Sequence, residues 1–180
     1  MSKALKIAYA VIRGIVAGLC VILLVYNLYV IISRYGFGNP VPTVFGYGGA
    51  QIVSGSMDDG TEDAIKVHDF VIIHARDDYE VGDIVTYIDN YGDATTHRII
   101  EKDGDTFLTK GDNPENAVDP PITKEKIVGK VIAVWRGVGE AIEFIKGPYG
   151  LMAILFAGVV IWFAGDIIGI LTSGKKDEEE

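Results

Sequence analysis

Two long apolar stretches flank a middle region of short, alternating segments. From Gly14 to Ile32 the chain runs 19 residues without a charge, and Asn27 is the most polar of them. At 1.5 Å per residue, a helix of about that length crosses the roughly 30 Å hydrocarbon layer of a bilayer. From Leu151 to Leu171 a second stretch of 21 residues is interrupted only by Asp166, and Gly147-Pro148 marks its start. Its length and its lack of amphipathic alternation favour a membrane span over a buried core helix.

A cleaved secretory leader has an apolar core of roughly 7 to 15 residues, followed by a small-residue cleavage site. The first stretch is longer and runs into Arg34-Tyr35, so it is expected to persist as an anchor. Lys3, Lys6 and Arg13 put the N-terminus on the cytoplasmic side, and Lys175 and Lys176 put the C-terminus there too. The expected organisation is an anchor over residues 1–35, an extracytoplasmic β-rich domain over 36–147, a second transmembrane helix over 148–174 and an acidic cytoplasmic tail over 175–180. Arg13 and Asp166 fall at compatible depths, so either a pair between them or an Asp166 reaching headgroup water fits.

Between the apolar stretches the pattern is that of strands. Tyr35 to Gly49 is rich in Gly, Pro and aromatics and reads as a linker lying near the membrane interface. Gln51 to Val53 is a short β-prone run. Phe70 to His74, Val81 to Ile88, Thr95 to Glu101, Thr106 to Thr109 and Ile127 to Trp135 are strand candidates. The turns between them are built of Asp, Asn and Gly, as in Asp89 to Asp93 and Lys102 to Asp105. Repeated short strands with such turns predict an antiparallel β domain.

Composition narrows the class. A net charge of −9 argues against a nucleic-acid partner. The one cysteine, Cys20, lies inside the first apolar stretch, so no intrachain disulfide forms and no zinc-type spacing exists. Cys20 reads as a lipid-facing or helix-packing residue.

Candidate chemistry collects in the middle region. Ser54-Gly55-Ser56-Met57 ends the first β-prone run and can present a hydroxyl on the rim of a sheet. Of the three histidines, His74 ends the Phe70 to His74 strand candidate just before a solvated turn, His68 lies in another turn, and both read as ordinary surface residues. His97, in Thr-Thr-His-Arg-Ile-Ile on a returning strand, fits a surface role or a catalytic one. Lys110-Gly111-Asp112-Asn113-Pro114 opens a loop that continues to Asp119-Pro120, and Asn113-Pro114 is a turn signal. That turn can fold the loop so that Asp112 and Asp119 both return toward one site. Taken singly, Ser54 also fits as a turn-stabilising hydroxyl, and both aspartates as solvated loop residues.

The ordered set is more specific than its parts. An anchor, Ser54-Gly55-Ser56-Met57, Gly82-Asp83-Ile84-Val85, His97-Arg98, Gly111-Asp112-Asn113 and Ile127-Val128-Gly129-Lys130 follow one another across residues 14–133. The chain thereby resembles the type I signal peptidases, in particular the archaeal and endoplasmic-reticulum branch, whose general base is a histidine. The resemblance implies Ser56 as nucleophile and His97 as base. It implies that Asp112 and Asp119 form the acidic part of the site, one orienting His97 and the other holding the loop or the serine strand; the contact with His97 is assigned to Asp119 and the supporting role to Asp112. The main-chain N–H of Ser56 and the hydroxyl of Ser54 are the implied oxyanion donors.

The fold that the resemblance implies is a mainly β catalytic domain of signal-peptidase-like antiparallel sheets with two transmembrane helices. The implied activity is that of a membrane-bound serine endopeptidase that removes signal peptides from secretory preproteins after small residues. No metal or organic cofactor is implied. Membrane lipid and the secretion translocon are the implied surroundings, in an archaeal cell membrane or, alternatively, that of the reticulum. The chain departs from the pattern at Asp58-Asp59, where a proline is usual two residues after the methionine, and at His68-Asp69, where Gly-Asp is usual. Two other readings stand beside this one: a related serine peptidase acting on another class of membrane precursor, and a non-catalytic anchored binding module.

Overall fold

A computed structural model describes residues 3–173. Contacts divide the chain into two compact units, one of Met1–Ile31 with Phe144–Glu180 and the other of Ile32–Glu143.

The first unit is helical. α1, Lys3–Ile31, belongs to a stretch long and apolar enough to cross a membrane, Ala10–Gly36, little of which is buried. α3, Pro148–Ser173, is 26 residues long and packs against α1. The second expected span lies within it, but the side chain of Asp166 falls outside the described residues, as does the acidic tail. The Arg13 guanidinium lies over the Trp162 ring, 3.8 Å from its centroid. Cys20 faces α3 at Gly158, which is the helix-packing role. α2, Gly139–Lys146, ends just before α3, and the sequence pattern did not predict it. Pro148 has no N–H to continue a helix, and the break frees the carbonyl of Ile145. The amide of Asn27, only 2 % exposed, donates to that carbonyl. In an apolar setting an orphaned carbonyl costs several kcal/mol, which explains a buried asparagine in an otherwise apolar helix.

The second unit is a single antiparallel sheet. Its strands are β1 Tyr47–Gln51, β2 Phe70–His74, β3 Ile84–Ile88, β4 Ala94–Asp103, β5 Thr106–Lys110, β6 Ile122–Thr123 and β7 Ile127–Trp135. Their order is β1-β2-β7-β3-β4-β5-β6. β7 returns from the end of the domain to pair with both β2 and β3. β2 and β7 are each paired on both sides, and both are mostly apolar, with Lys130 the one charge in β7.

Two hydrophobic clusters lie on this sheet. One joins Val41, Ile52, Met57, Ile65, Val71 and Ile73. The other joins Tyr79, Val85, Tyr87, Ile99, Phe107, Ile122 and Ile127. Each fully buried side chain of this size contributes roughly 1.5–3 kcal/mol.

Several boundaries differ from the sequence expectation. β1 takes three residues from the expected linker, and that linker opens with a π-helical turn, Ile32–Gly36. The Arg34 guanidinium, held to Glu143 at 2.6 Å and to the carbonyl of Pro40 at 3.1 Å, fixes its geometry. Of the Gln51 to Val53 run, Gln51 alone is in a strand. Ile52 continues the pairing through two main-chain hydrogen bonds, its N–H to Asp69 and its carbonyl from His68. β3 starts at Ile84 because the N–H of Gly82 turns to bond Ile99. His74 ends β2 as expected, but it is half-buried, with its ring stacked on Tyr47 at 4.0 Å.

Candidate active site

Ser56 sits where the chain leaves β1 and turns. Met57 is buried in the first cluster at 1 % exposure, and the N–H of Asp58 closes on the carbonyl of Gly55 at 3.1 Å. An anchored apolar residue right after the serine holds the turn against the sheet while Ser56 stays on its rim. The hydroxyls of Ser54 and Ser56 lie 3.2 Å apart. Among the described residues the N–H of Ser56 makes no recorded intramolecular hydrogen bond, and Ser56 lines a cleft.

His97 lies on β4, opposite Val85 of β3. Its Nδ1 is 2.6 Å from Oδ2 of Asp119, and the two side chains are 12 % and 21 % exposed. Nδ1 therefore carries the proton that the carboxylate accepts, and Nε2 is left as the acceptor. Ser54, Ser56 and His97 line one cleft of about 620 Å³. Its walls include Ile52 and Val53 on one strand end and Thr95 and Thr96 on β4. No lysine is among the described residues that line it. In this conformation the Ser56 hydroxyl pairs with that of Ser54 rather than with His97. Such catalytic contacts commonly close only with substrate present.

The loop from Gly111 to Asp119 does not bring both aspartates to one group. Successive residues of a strand point to opposite faces, and the loop follows that alternation on β4. Asp119 meets His97, while Asp112 makes a two-pronged pair with Arg98, Nε to Oδ1 at 2.8 Å and Nη2 to Oδ2 at 2.6 Å. Arg98 also donates to the carbonyl of Gly82 at 2.8 Å. Asp112 thus ties the loop to β4, and the pair holds the guanidinium proton even more firmly than usual.

Two further contacts reach the site from residues that the motif reading left without a role. Asn116 donates from Nδ2 to the main-chain carbonyl of Ser56 at 2.6 Å. Thr109 donates from Oγ1 to Oδ2 of Asp119 at 2.8 Å. Asn116 stood inside the quoted loop motif, where a buried contact and a solvated turn look the same in sequence. Thr109 is one more threonine in a strand, and no pattern sets it apart. The other histidine outside β2, His68, pairs with Glu140 at 2.9 Å on the exposed surface, away from this cleft. Among the described residues no group of three or more His, Cys, Asp or Glu side chains could hold a metal ion.

What the arrangement offers is a serine, an imidazole with a carboxylate behind it, and N–H and hydroxyl donors on one cleft, the elements of serine-based acyl transfer. The chain is 34% identical over 112 residues to Signal peptidase I W of Bacillus subtilis (strain 168), a match covering 59% of this chain. The match spans 56% of that protein, a little over half its length. No family model matches the chain. The similarity supports a relationship to the type I signal peptidases.

Proposed function

We propose that this protein is a membrane-bound serine endopeptidase that removes N-terminal signal peptides from secreted preproteins. The observation that carries the reading is the 2.6 Å contact between His97 and Asp119 on the cleft that also holds Ser56, in a chain similar to a signal peptidase.

The chemistry runs as follows. The hydroxyl of Ser56 attacks the scissile carbonyl and passes its proton to Nε2 of His97. Asp119 stabilises the imidazolium that forms. The N–H of Ser56 and the hydroxyl of Ser54 donate to the oxyanion. The tetrahedral intermediate collapses as Nε2 gives its proton to the leaving amine. Water, deprotonated by His97, then hydrolyses the acyl ester and restores Ser56. Histidine as base is the mark of the archaeal and reticulum branch, and the pairing of His97 with Asp119 on the cleft supports it.

Substrate would lie extended along Val53, which is 77 % exposed, using main-chain hydrogen bonds for affinity and shallow pockets for small side chains. We assign α1 and α3 to two membrane spans with both termini cytoplasmic, residues 36–147 outside, and lipid and the secretion translocon as neighbours. Holding enzyme and substrate in one bilayer raises their effective concentration. The test is incubation of the detergent-solubilised full chain with a preprotein, alongside Ser56→Ala. Release of the signal peptide by the wild type and not by the variant is the expected result. Equal release by both overturns the proposal. Cleavage confined to another class of membrane precursor replaces the substrate and keeps the mechanism.

A further inference from the structure

A chain of hydroxyls runs from the interior of the sheet to the carboxylate of Asp119. Thr109 lies on β5 and is 0 % exposed, and Tyr87 lies on β3 and is 2 % exposed. Oγ1 of Thr109 is 2.8 Å from Oδ2 of Asp119 and 3.2 Å from the phenolic oxygen of Tyr87. A hydroxyl has one proton to give. It goes to the ionised carboxylate, the stronger acceptor, and the phenol oxygen of Tyr87 lies 3.2 Å from the same Thr109 oxygen.

The same two residues hold the site in other ways. The N–H of Asp119 bonds the carbonyl of Thr109 at 2.9 Å, so Thr109 grips Asp119 by main chain and side chain together. The Tyr87 ring meets the His97 ring edge-on, with centroids 6.4 Å apart. Tyr87 also belongs to the cluster with Val85, Ile99 and Phe107, where a phenylalanine would pack equally well. In that apolar setting the hydroxyl lies against Oγ1 of Thr109, which itself donates to Oδ2 of Asp119, the oxygen that also faces His97.

We infer that Thr109 and Tyr87 are positioning residues: they fix the rotamer of Asp119 so that Oδ2 faces Nδ1 of His97 and Nε2 faces the cleft. The inference rests on the peptidase reading for its kinetic consequence, but the geometry it describes is independent of turnover. Neither residue touches substrate, and each acts through Asp119. Low local polarity strengthens such a relay, because each hydrogen bond polarises the next.

The experiment uses the full chain in detergent and the variants Thr109→Val, Thr109→Ser and Tyr87→Phe, the first and last nearly equal in shape to the native residues. Proton NMR reads the Nδ1–H of His97, assigned by its loss in His97→Ala, and preprotein cleavage gives kcat and KM. The expected result is a far-downfield Nδ1–H signal in wild type and Thr109→Ser that moves upfield in Thr109→Val. With it, kcat falls on the order of 10- to 100-fold at unchanged KM in Thr109→Val, less in Tyr87→Phe, and recovers in Thr109→Ser. A wild-type signal and wild-type kcat in Thr109→Val overturn the inference. If the wild type cleaves no preprotein, the peptidase reading fails, and the signal still decides whether Thr109 positions the pair. Should Thr109→Val not fold, wild-type signal and kcat in Tyr87→Phe would count against the relay in the same way.

Discussion

The side-chain amide of Asn116 holds the main-chain carbonyl of Ser56 at 2.6 Å, and the N–H of Asn113 reaches the same oxygen at 3.0 Å. Two donors from the acidic loop therefore fix the peptide plane that follows the candidate nucleophile. Gly111 makes the approach possible. A Cβ there would collide with the Asn116 amide and the Ser56 carbonyl, and would come within 3.1 Å of Nε2 of His97. We expect Asn116→Ala to lower kcat roughly tenfold, about the value of one good hydrogen bond to a positioned group. Gly111→Ala should cost more, because loop, serine and imidazole must all shift. Thermal unfolding measured beside the kinetics separates this from general loss of fold. An Asn116→Ala enzyme with wild-type kcat would show that Asn113 alone suffices.

Replacing either reacting group should end activity. Ser56→Ala and His97→Ala are expected to abolish preprotein cleavage, whereas Lys66→Ala and Lys110→Ala should keep most of it, since neither lysine lines the cleft. A fully active His97→Ala protein would end the mechanism proposed here.

The two aspartates should separate by readout. Asp119→Ala strips His97 of its acceptor and is expected to act on kcat, by on the order of 10²-fold or more. Asp112→Ala leaves Arg98 without its two-pronged partner and should show mainly as a lower unfolding temperature. The Arg98 side chain is 39 % exposed, so the cost is that of a partly solvated pair, about 1 kcal/mol. A larger kcat loss in Asp112→Ala than in Asp119→Ala would exchange the two roles.

Alkaline pH should weaken the fold through Tyr87. Burial, helped by the nearby Asp119 carboxylate, pushes its phenol well above the ordinary value near 10. From about pH 10 upward the unfolded chain releases this proton while the native protein keeps it. The native state then binds more protons, and stability falls as pH rises; below about pH 10 the contribution is whole. Denaturant midpoints at pH 8 and 11 should differ less in Tyr87→Phe than in the wild type. Equal slopes would show that Tyr87 contributes nothing to the alkaline limb.

Topology has a direct test. In a background lacking Cys20, Asp103→Cys should react with a membrane-impermeant thiol reagent from outside the cell, and Asp177→Cys should not. The reverse pattern would rule out the proposed orientation.

Local pattern alone determined the elements whose signal is contained in a few neighbouring residues. β2 and β7 are mostly apolar runs between turn residues, and both have the bounds that pattern predicts. α1 is readable from length and hydropathy, and the residues of the candidate site from the order of short motifs. β1 was not readable, because Tyr47-Gly48-Gly49-Ala50-Gln51 has little strand propensity of its own. It becomes a strand through β2: the Phe70 ring lies where a Cβ on Gly49 would come within 2.5 Å, so the glycine admits the ring and the pairing does the rest. The insertion of β7 between β2 and β3 depends on contacts far apart in the chain, which no local window contains. The same holds within the site. The motif named Asp112 and Asp119 together, but strand alternation at His97 and Arg98 decided which carboxylate goes where. Asn116, Thr109 and Tyr87 acquire their contacts only when three strands and one loop converge, since a hydrogen bond is specified by position in space and not by spacing along the chain.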